Sequence, residues 1–308
     1  MESNHNFKNI KDYLDHWDLF FEEWVKDKEG CFENDPIWSS ENRRGTGDKK
    51  LDFQVLPQPY LGDIKNHSVI TLNLNPSRYS KSKEYKKFEK EIKPIFDKAK
   101  DYYTYAKEFP TYDIKFWQNQ AKWIDRIFQN LDNQLDMNDS EKIRPFAIEI
   151  CPWGSKAFQK LDKDDMSEIV EYMDKHVFDI IKKANEYSKL KIVLSVGKAY
   201  YDIFKKSEFQ KLEEISSKPF EKEFKFSSDN DNTYLKCLSQ SENKKFIDEK
   251  ISKIPYNWPI KFVKRSFSIW EKDGILYFNT YASGSNSPPG DHFDEIQNDL
   301  IKRHLQKN

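Results

Sequence analysis

The chain has 308 residues, one-third of them charged, yet its acids and bases nearly cancel to a net charge of −1. That length suits one large domain or two small ones. The near-neutral balance argues against a protein that coats nucleic acid with its whole surface, while leaving room for a basic groove on one face. No apolar run approaches the ~18 residues of a membrane span, and no stretch has the signal-peptide pattern. Cys31, Cys151 and Cys237 form no CxxC pair, which predicts neither a zinc site nor an iron–sulfur cluster and fits a reducing cytoplasm.

Phe7, Ile10, Leu14, Trp17, Phe21 and Trp24 recur at helical spacing and predict an amphipathic helix over 6–27, stopped by Gly30. Residues 31–66 mix Pro, Gly, Ser and Asn and read as a loop-rich approach; together, residues 1–55 form a helical extension. A first strand is predicted over Ser68–Leu74, ending in Asn75-Pro76-Ser77. Charged helical segments follow over 82–108, then a helix with the stripe Trp117, Ala121, Ile124, Phe128 and Leu131. A second strand, Phe146–Ile150, ends in Cys151-Pro152-Trp153; a helix over 166–187 follows. The third strand, Lys191–Val196, ends at Gly197, where a helix opens with Lys198. Residues 206–262 are charge-rich and irregular and read as an insertion. A fourth strand, Ile275–Tyr281, runs into Ala-Ser-Gly-Ser-Asn-Ser-Pro-Pro-Gly, before a last helix near Asp291. Strands alternating with helices predict a single three-layer α/β/α domain over 1–308 with a central four-stranded parallel sheet. In such sheets ligands sit beyond the carboxyl ends of the strands.

Three of those ends carry unusual sequences: Leu72-Asn73-Leu74-Asn75-Pro76-Ser77, Ile148-Glu149-Ile150-Cys151-Pro152-Trp153 and Tyr281-Ala282-Ser283-Gly284-Ser285-Asn286. In this order they resemble the motifs of the uracil-DNA glycosylase superfamily, nearest its mismatch-specific and single-strand-selective branches. Those have Gly-x-Asn-Pro-Gly at the first strand end, Asn-Tyr-Cys-Pro-Leu at the second in the latter branch, and His-Pro-Ser or Asn-Pro-Ser at the last. Val196-Gly197-Lys198-Ala199 is similar to the superfamily's penultimate strand end, and Leu56–Asp63 to a lead-in of bacterial members. The resemblance spans residues 56–295 and is carried by these short motifs alone.

The resemblance implies base excision without metal or cofactor: a nucleotide is flipped out of DNA and its N-glycosidic bond is hydrolysed by a positioned water. Asn75 matches the residue that orients that water. Tyr79 falls where an aromatic stacks on the base. Asn73, Glu149 and Cys151 fall at the base, while Ser77, Arg78, Lys198, Gly284, Ser285 and Asn286 fall along the DNA backbone. Tyr281 and Ser283 fall where the leaving base and phosphate are supported. Three departures stand out. Asn73 replaces a glycine, Tyr281-Ala282 replaces His-Pro, and Glu149 replaces the asparagine that reads uracil. An ionised carboxylate only accepts hydrogen bonds, so it suits the N4 amine of a cytosine-like base better than the O4 of uracil. Excising plain cytosine would harm the cell, which points to a modified or damaged base, for example modified cytosine in phage DNA. Two other readings stay open: a non-catalytic nucleic-acid or modified-base binding protein on the same fold, and a hydrolase of free nucleosides or nucleotides.

Overall fold

The computed structural model describes residues 7–67, 69–74, 101–108, 123–124, 127, 145–155, 165–188, 191–217, 238–239, 265–282 and 300–305. The protein is α/β, with a mixed sheet that contains three parallel strand pairs, plus helices. It divides into two compact units, one of residues 1–118 with 143–194, the other of 119–142 with 195–308. No helix among the described residues is long and apolar enough to cross a membrane.

The first unit opens with helix α1 (Ile10–Lys26), which buries Ile10, Tyr13, Leu14, Trp17, Phe21 and Trp24 on one face. The Asn9 side chain caps it by accepting from the Asp12 N–H at 3.0 Å. Gly30 is not its stop. The helix breaks at Asp27, whose backbone leaves helical geometry and whose carboxylate caps a second helix, α2 (Lys28–Glu33), by accepting from the Gly30 N–H at 2.9 Å. A Cβ on residue 30 would lie 2.1 Å from that carboxylate, so the glycine makes space for the cap rather than ending a helix. The expected loop beyond holds α3 (Glu41–Arg44), a short 3-10 turn at Gly47–Lys49 and a two-residue strand, β1 (Tyr60–Leu61).

Two of the expected strands follow as β2 (Val69–Asn73) and β3 (Pro145–Glu149), both apolar and β-branched or aromatic enough to be buried nearly throughout. They pair in parallel, with Asn73 level with Glu149. Strand β1 pairs antiparallel on the other side of β3. Helix α4 (Tyr102–Glu108) lies between β2 and β3 in sequence. The expected helix over 166–187 is α5 (Asp165–Met173), a π turn at Asp174–Phe178, α6 (Asp179–Ala184) and a 3-10 turn at Asn185–Tyr187. The third expected strand is β4 (Ile192–Val196); its first three residues belong to this unit, where the strand order is β1-β3-β2-β4.

The second unit holds the end of β4, helix α7 (Lys198–Lys206), β5 (Gln210–Ser217), β6 (Leu238–Ser239), β7 (Arg265–Lys272) and β8 (Ile275–Ala282), in the strand order β4-β8-β7-β5-β6. The β5, β6, β7 and β8 pairings are antiparallel. The expected parallel strands are thus present as three parallel pairs, and the sheet is mixed because antiparallel strands extend it beyond the four expected. The reason is visible in the turn Asp273–Gly274, where both residues have positive φ, the geometry that closes a two-residue hairpin. The segment 206–262 is not merely irregular, since it holds the eight-residue strand β5, which carries a bulge between Lys211 and Glu213. Trp123, Ile124 and Ile127 are helical and buried, and residues 300–305 are helical; the remainder of those two expected helices lies outside the described residues.

Gly62 follows β1 with φ of +94°, and a Cβ there would sit 2.5 Å from the Pro145 carbonyl oxygen at the start of β3. Neither the backbone conformation nor the contact tolerates a side chain. Gly62→Ala is therefore expected to cost about 2 kcal/mol of stability. Urea unfolding of the two proteins measures it, and an unchanged midpoint would contradict the packing described.

Candidate functional site

The carboxyl end of β3 is gripped from both sides. On one side the Glu149 N–H donates to the Pro59 carbonyl at 2.9 Å, and the Gln58 N–H to the Pro152 carbonyl at 2.8 Å. On the other, the N–H groups of Ile150 and Cys151 donate to the carbonyls of Asn73 and Leu74 at 2.9 and 3.0 Å. The parallel ladder therefore runs past the last strand residues, and it fixes where the side chains of Asn73 and Glu149 point.

Those two side chains meet. The Asn73 amide donates from Nδ2 to Glu149 Oε1 at 3.2 Å. Both are buried, Glu149 to 4 % exposure. The other carboxyl oxygen, Oε2, has no hydrogen-bond partner among the described residues. Burial pushes the Glu149 carboxyl from 4.5 up to about 8, with the Asn73 hydrogen bond only partly offsetting the lost water. At neutral pH the group is thus mainly the acid. Oε1 is the oxygen engaged by Asn73. The expectation took Glu149 as ionised and accepting; burial favours the neutral acid, whose hydroxyl is a donor.

Glu149 lines a cavity of about 40 Å³ in the first unit. Helix α1 supplies Phe7 just before it, then Tyr13, His16 and Trp17. The π turn and the helix before it supply Tyr172, His176 and Val177. The turn Asp35-Pro36-Ile37 completes the wall, with Pro59 and Pro152 flanking Glu149. The rings hold one another: Tyr172 stacks on His176 at 4.9 Å, and Phe7 meets Tyr13 and His16 edge-on, both at 5.2 Å. Pro36 is exposed and Ile37, His16, Tyr172 and His176 are half-buried, so the wall opens to solvent on that side.

Asp35 is the second buried carboxyl on the cavity. Its Oδ2 accepts from the Trp153 indole N–H at 2.8 Å, and its Oδ1 from the N–H groups of Ile37 and Trp38, both at 2.9 Å. Burial raises its carboxyl above the ordinary value even against these three donors. The neighbouring turn is held by Arg43, whose guanidinium donates to the Ile37 carbonyl at 2.7 Å and pairs with Glu168. No lysine or arginine stands among the described lining residues. No group of His, Cys, Asp and Glu among the described residues could hold a metal ion.

Of the residues singled out from sequence, the structure brings Asn73 and Glu149 together. Cys151 is fully buried behind them, its thiol donating to the Trp153 carbonyl at 3.6 Å, and burial pushes that thiol well above its ordinary value. It is packing for Trp153, with no place on the described cavity wall. Lys198 is exposed at the start of α7 and pairs with Asp202 at 2.7 Å. Tyr281, in β8, is half-buried with its ring against Tyr201 at 5.8 Å. Asn75, Ser77, Arg78, Tyr79, Ser283, Gly284, Ser285 and Asn286 lie outside the described residues. Sequence reasoning missed Asp35, His16 and His176. Asp35 falls in the loop-rich stretch 31–66, and nothing in the sequence near the two histidines sets them apart; their place on the wall of the cavity beside Glu149 marks all three.

No protein-family model matches the chain, and no curated protein or solved structure does either.

The Glu149 shift makes a stability prediction with a fixed sign. Below pH 4.5 the carboxyl is protonated folded or unfolded, and its burial costs little. Between 4.5 and about 8 the unfolded chain ionises while the folded one does not, so stability falls as pH rises, by the order of a few kcal/mol across the window. Glu149→Gln should match the native protein near pH 4 and exceed it increasingly toward pH 8. Melting temperatures across that range measure the difference; a constant offset would mean the carboxyl is not buried.

Proposed function

We propose that the chain is a monofunctional DNA glycosylase that flips out a modified or damaged base and hydrolyses its N-glycosidic bond with a positioned water. The observation that carries this reading is Glu149. It stands at the carboxyl end of a parallel strand, held by Asn73 from the neighbouring strand end, and it lines an aromatic-walled cavity with one carboxyl oxygen unpartnered among the described residues. In an α/β sheet that is where a ligand edge is read, and the same strand ends carry the motifs that resemble the glycosylase superfamily.

In this reading Glu149 reads the base edge and Asn73 is a positioning residue that holds it. Asn75, two residues beyond Asn73, orients the water. A neutral amide is no strong base, so catalysis comes from placing the nucleophile and stabilising the charge that develops on base and sugar. The cavity is far smaller than the ~300–1,000 Å³ pockets that enclose a whole ligand. It takes part of the base, such as a substituent, rather than the ring.

Tyr281 favours a second reading, a protein that binds a modified base without cutting. It stands where the resembled motif has His or Asn, and its ring is engaged with Tyr201.

Mass spectrometry of free base after incubation with DNAs bearing plain, uracil and modified-cytosine bases decides between them. Release is expected from a modified base, falling about a hundredfold in Asn75→Ala, the size of effect of losing one group that positions or stabilises the reacting centre. Binding with no release from any DNA would overturn the glycosylase and leave the binding protein.

A further inference from the structure

A second titratable group is buried in the first unit, at the opposite end of the β2–β3 pair from Glu149. His67 lies just before β2 and is 2 % exposed. It forms an isolated parallel bridge with Ser188, the residue after the 3-10 turn Asn185–Tyr187. Its ring lies against Phe146 of β3 at 5.5 Å. Neither ring nitrogen has a hydrogen-bond partner among the described residues. Unpaired polar atoms in a core cost free energy, and an apolar ring would fill the place without that cost. What the imidazole adds is a response to protons. Charged, it would be a dry cation with unpaired N–H groups. Burial accordingly pushes the imidazole from 6.5 down to about 4, outweighing the carbonyls of Ile64 and Asp63 and the Asp63 carboxylate, which favour the cation.

The charged groups of the elements around His67 are engaged elsewhere or face solvent. The Asp63 carboxylate already accepts from the Tyr103 hydroxyl at 2.8 Å and the Lys65 N–H at 3.0 Å, and pairs with Lys107 at 3.3 Å. Lys65 of the turn and Lys107 of α4 both lie over the Tyr103 ring. Strand β3 presents the uncharged ring of Phe146. Past α6, Asn185 is a buried neutral amide, while Glu186, Tyr187 and Lys191 are exposed.

We propose that His67 is an acid-operated latch at the amino end of β2: on taking a proton from solvent it leaves the core and frees the Asp63–Asn66 turn and Ser188, while the carboxyl end of the β2–β3 pair stays closed. The open form binds its proton with the ordinary imidazole value of 6.5, the closed form only near 4. Closure is therefore undisturbed above pH 6.5, and opening is favoured increasingly as pH falls from 6.5 toward 4. Glu149 has the opposite sign, losing stability as pH rises from 4.5 toward 8. The strand pair is thus loosened in acid at one end and in base at the other, and both ends are held best between pH 4.5 and 6.5.

Amide hydrogen exchange tests the latch, with each rate corrected for the pH dependence of the chemical step. The Asn66 and Ser188 amides donate to the carbonyls of Asp63 and Asn185, and those of Ile150 and Cys151 hold the carboxyl end. From pH 7 to pH 5, exchange at Asn66 and Ser188 is expected to quicken about twentyfold, with no such change at Ile150 and Cys151. The effect should vanish in His67→Phe, which keeps a ring against Phe146 and binds no proton. In the native protein the carbon-bound ring protons of His67, followed by NMR, should titrate well below 6.5. These two readings of the native protein decide the matter even if His67→Phe does not fold. A ring that titrates at 6.5 or above, no quickening at Asn66 and Ser188, equal quickening at Ile150 and Cys151, or quickening retained in a folded His67→Phe would each overturn the proposal.

Discussion

A carboxyl group buried at the end of β3 sets the terms for everything around it. The Glu149 carboxyl has one hydrogen bond among the described residues, from Asn73, and Glu149 lines a cavity walled by rings and prolines. An ionised carboxylate in such a place would be costly, and the protein meets that cost by keeping the group neutral. Neutrality in turn needs water held back. Proline at 59 and 152 flanks the group with residues that bring no N–H, and the aromatic face of α1 covers it. The first unit is therefore built as much to keep one oxygen dry and unpaired as to bury apolar surface.

That requirement gives the N-terminal helix a meaning its amphipathic pattern does not convey. Tyr13 and Trp17 belong at once to the core-facing stripe of α1 and to the cavity wall. Asp27, by breaking α1 and capping α2, turns the chain toward the Asp35–Ile37 segment that forms another part of that wall. Asp35 ties this segment to Trp153, just past the end of β3, through the indole N–H. The helical extension and the strand end are thus one construction, joined by hydrogen bonds and ring contacts between residues far apart in sequence.

The legible part of this in the sequence was what periodicity and strand-end chemistry can carry. The apolar runs at 69–73, 145–149, 192–196 and 275–282 form strands close to the expected bounds, because short β-branched and aromatic runs have few other ways to be buried. Asn73 and Glu149 could be singled out because polar residues at the ends of such runs need a reason. The misses have a physical cause as well. Strand β7 pairs antiparallel with β8 through a two-residue turn, and the signal, Asp273-Gly274 between two apolar runs, was outweighed by the helix–strand alternation earlier in the chain. The break at Asp27 was misplaced onto Gly30 because glycine is the commoner stop, whereas here its lack of a side chain admits a cap. The charge state of Glu149 is the least legible feature: it depends on the dielectric around the group, and burial beside the rings of α1 is not written in the residues next to Glu149.

The β7–β8 pairing has a kinetic corollary. Its partners are joined by two residues, so closing it costs little chain entropy, and hairpins of this kind form in microseconds. The Asn73–Glu149 pair instead joins strands 76 residues apart, a closure that must await the long intervening segment. The carboxyl at the end of β3 is thus placed by contacts of long sequence separation, whose closure costs more chain entropy than the hairpin's.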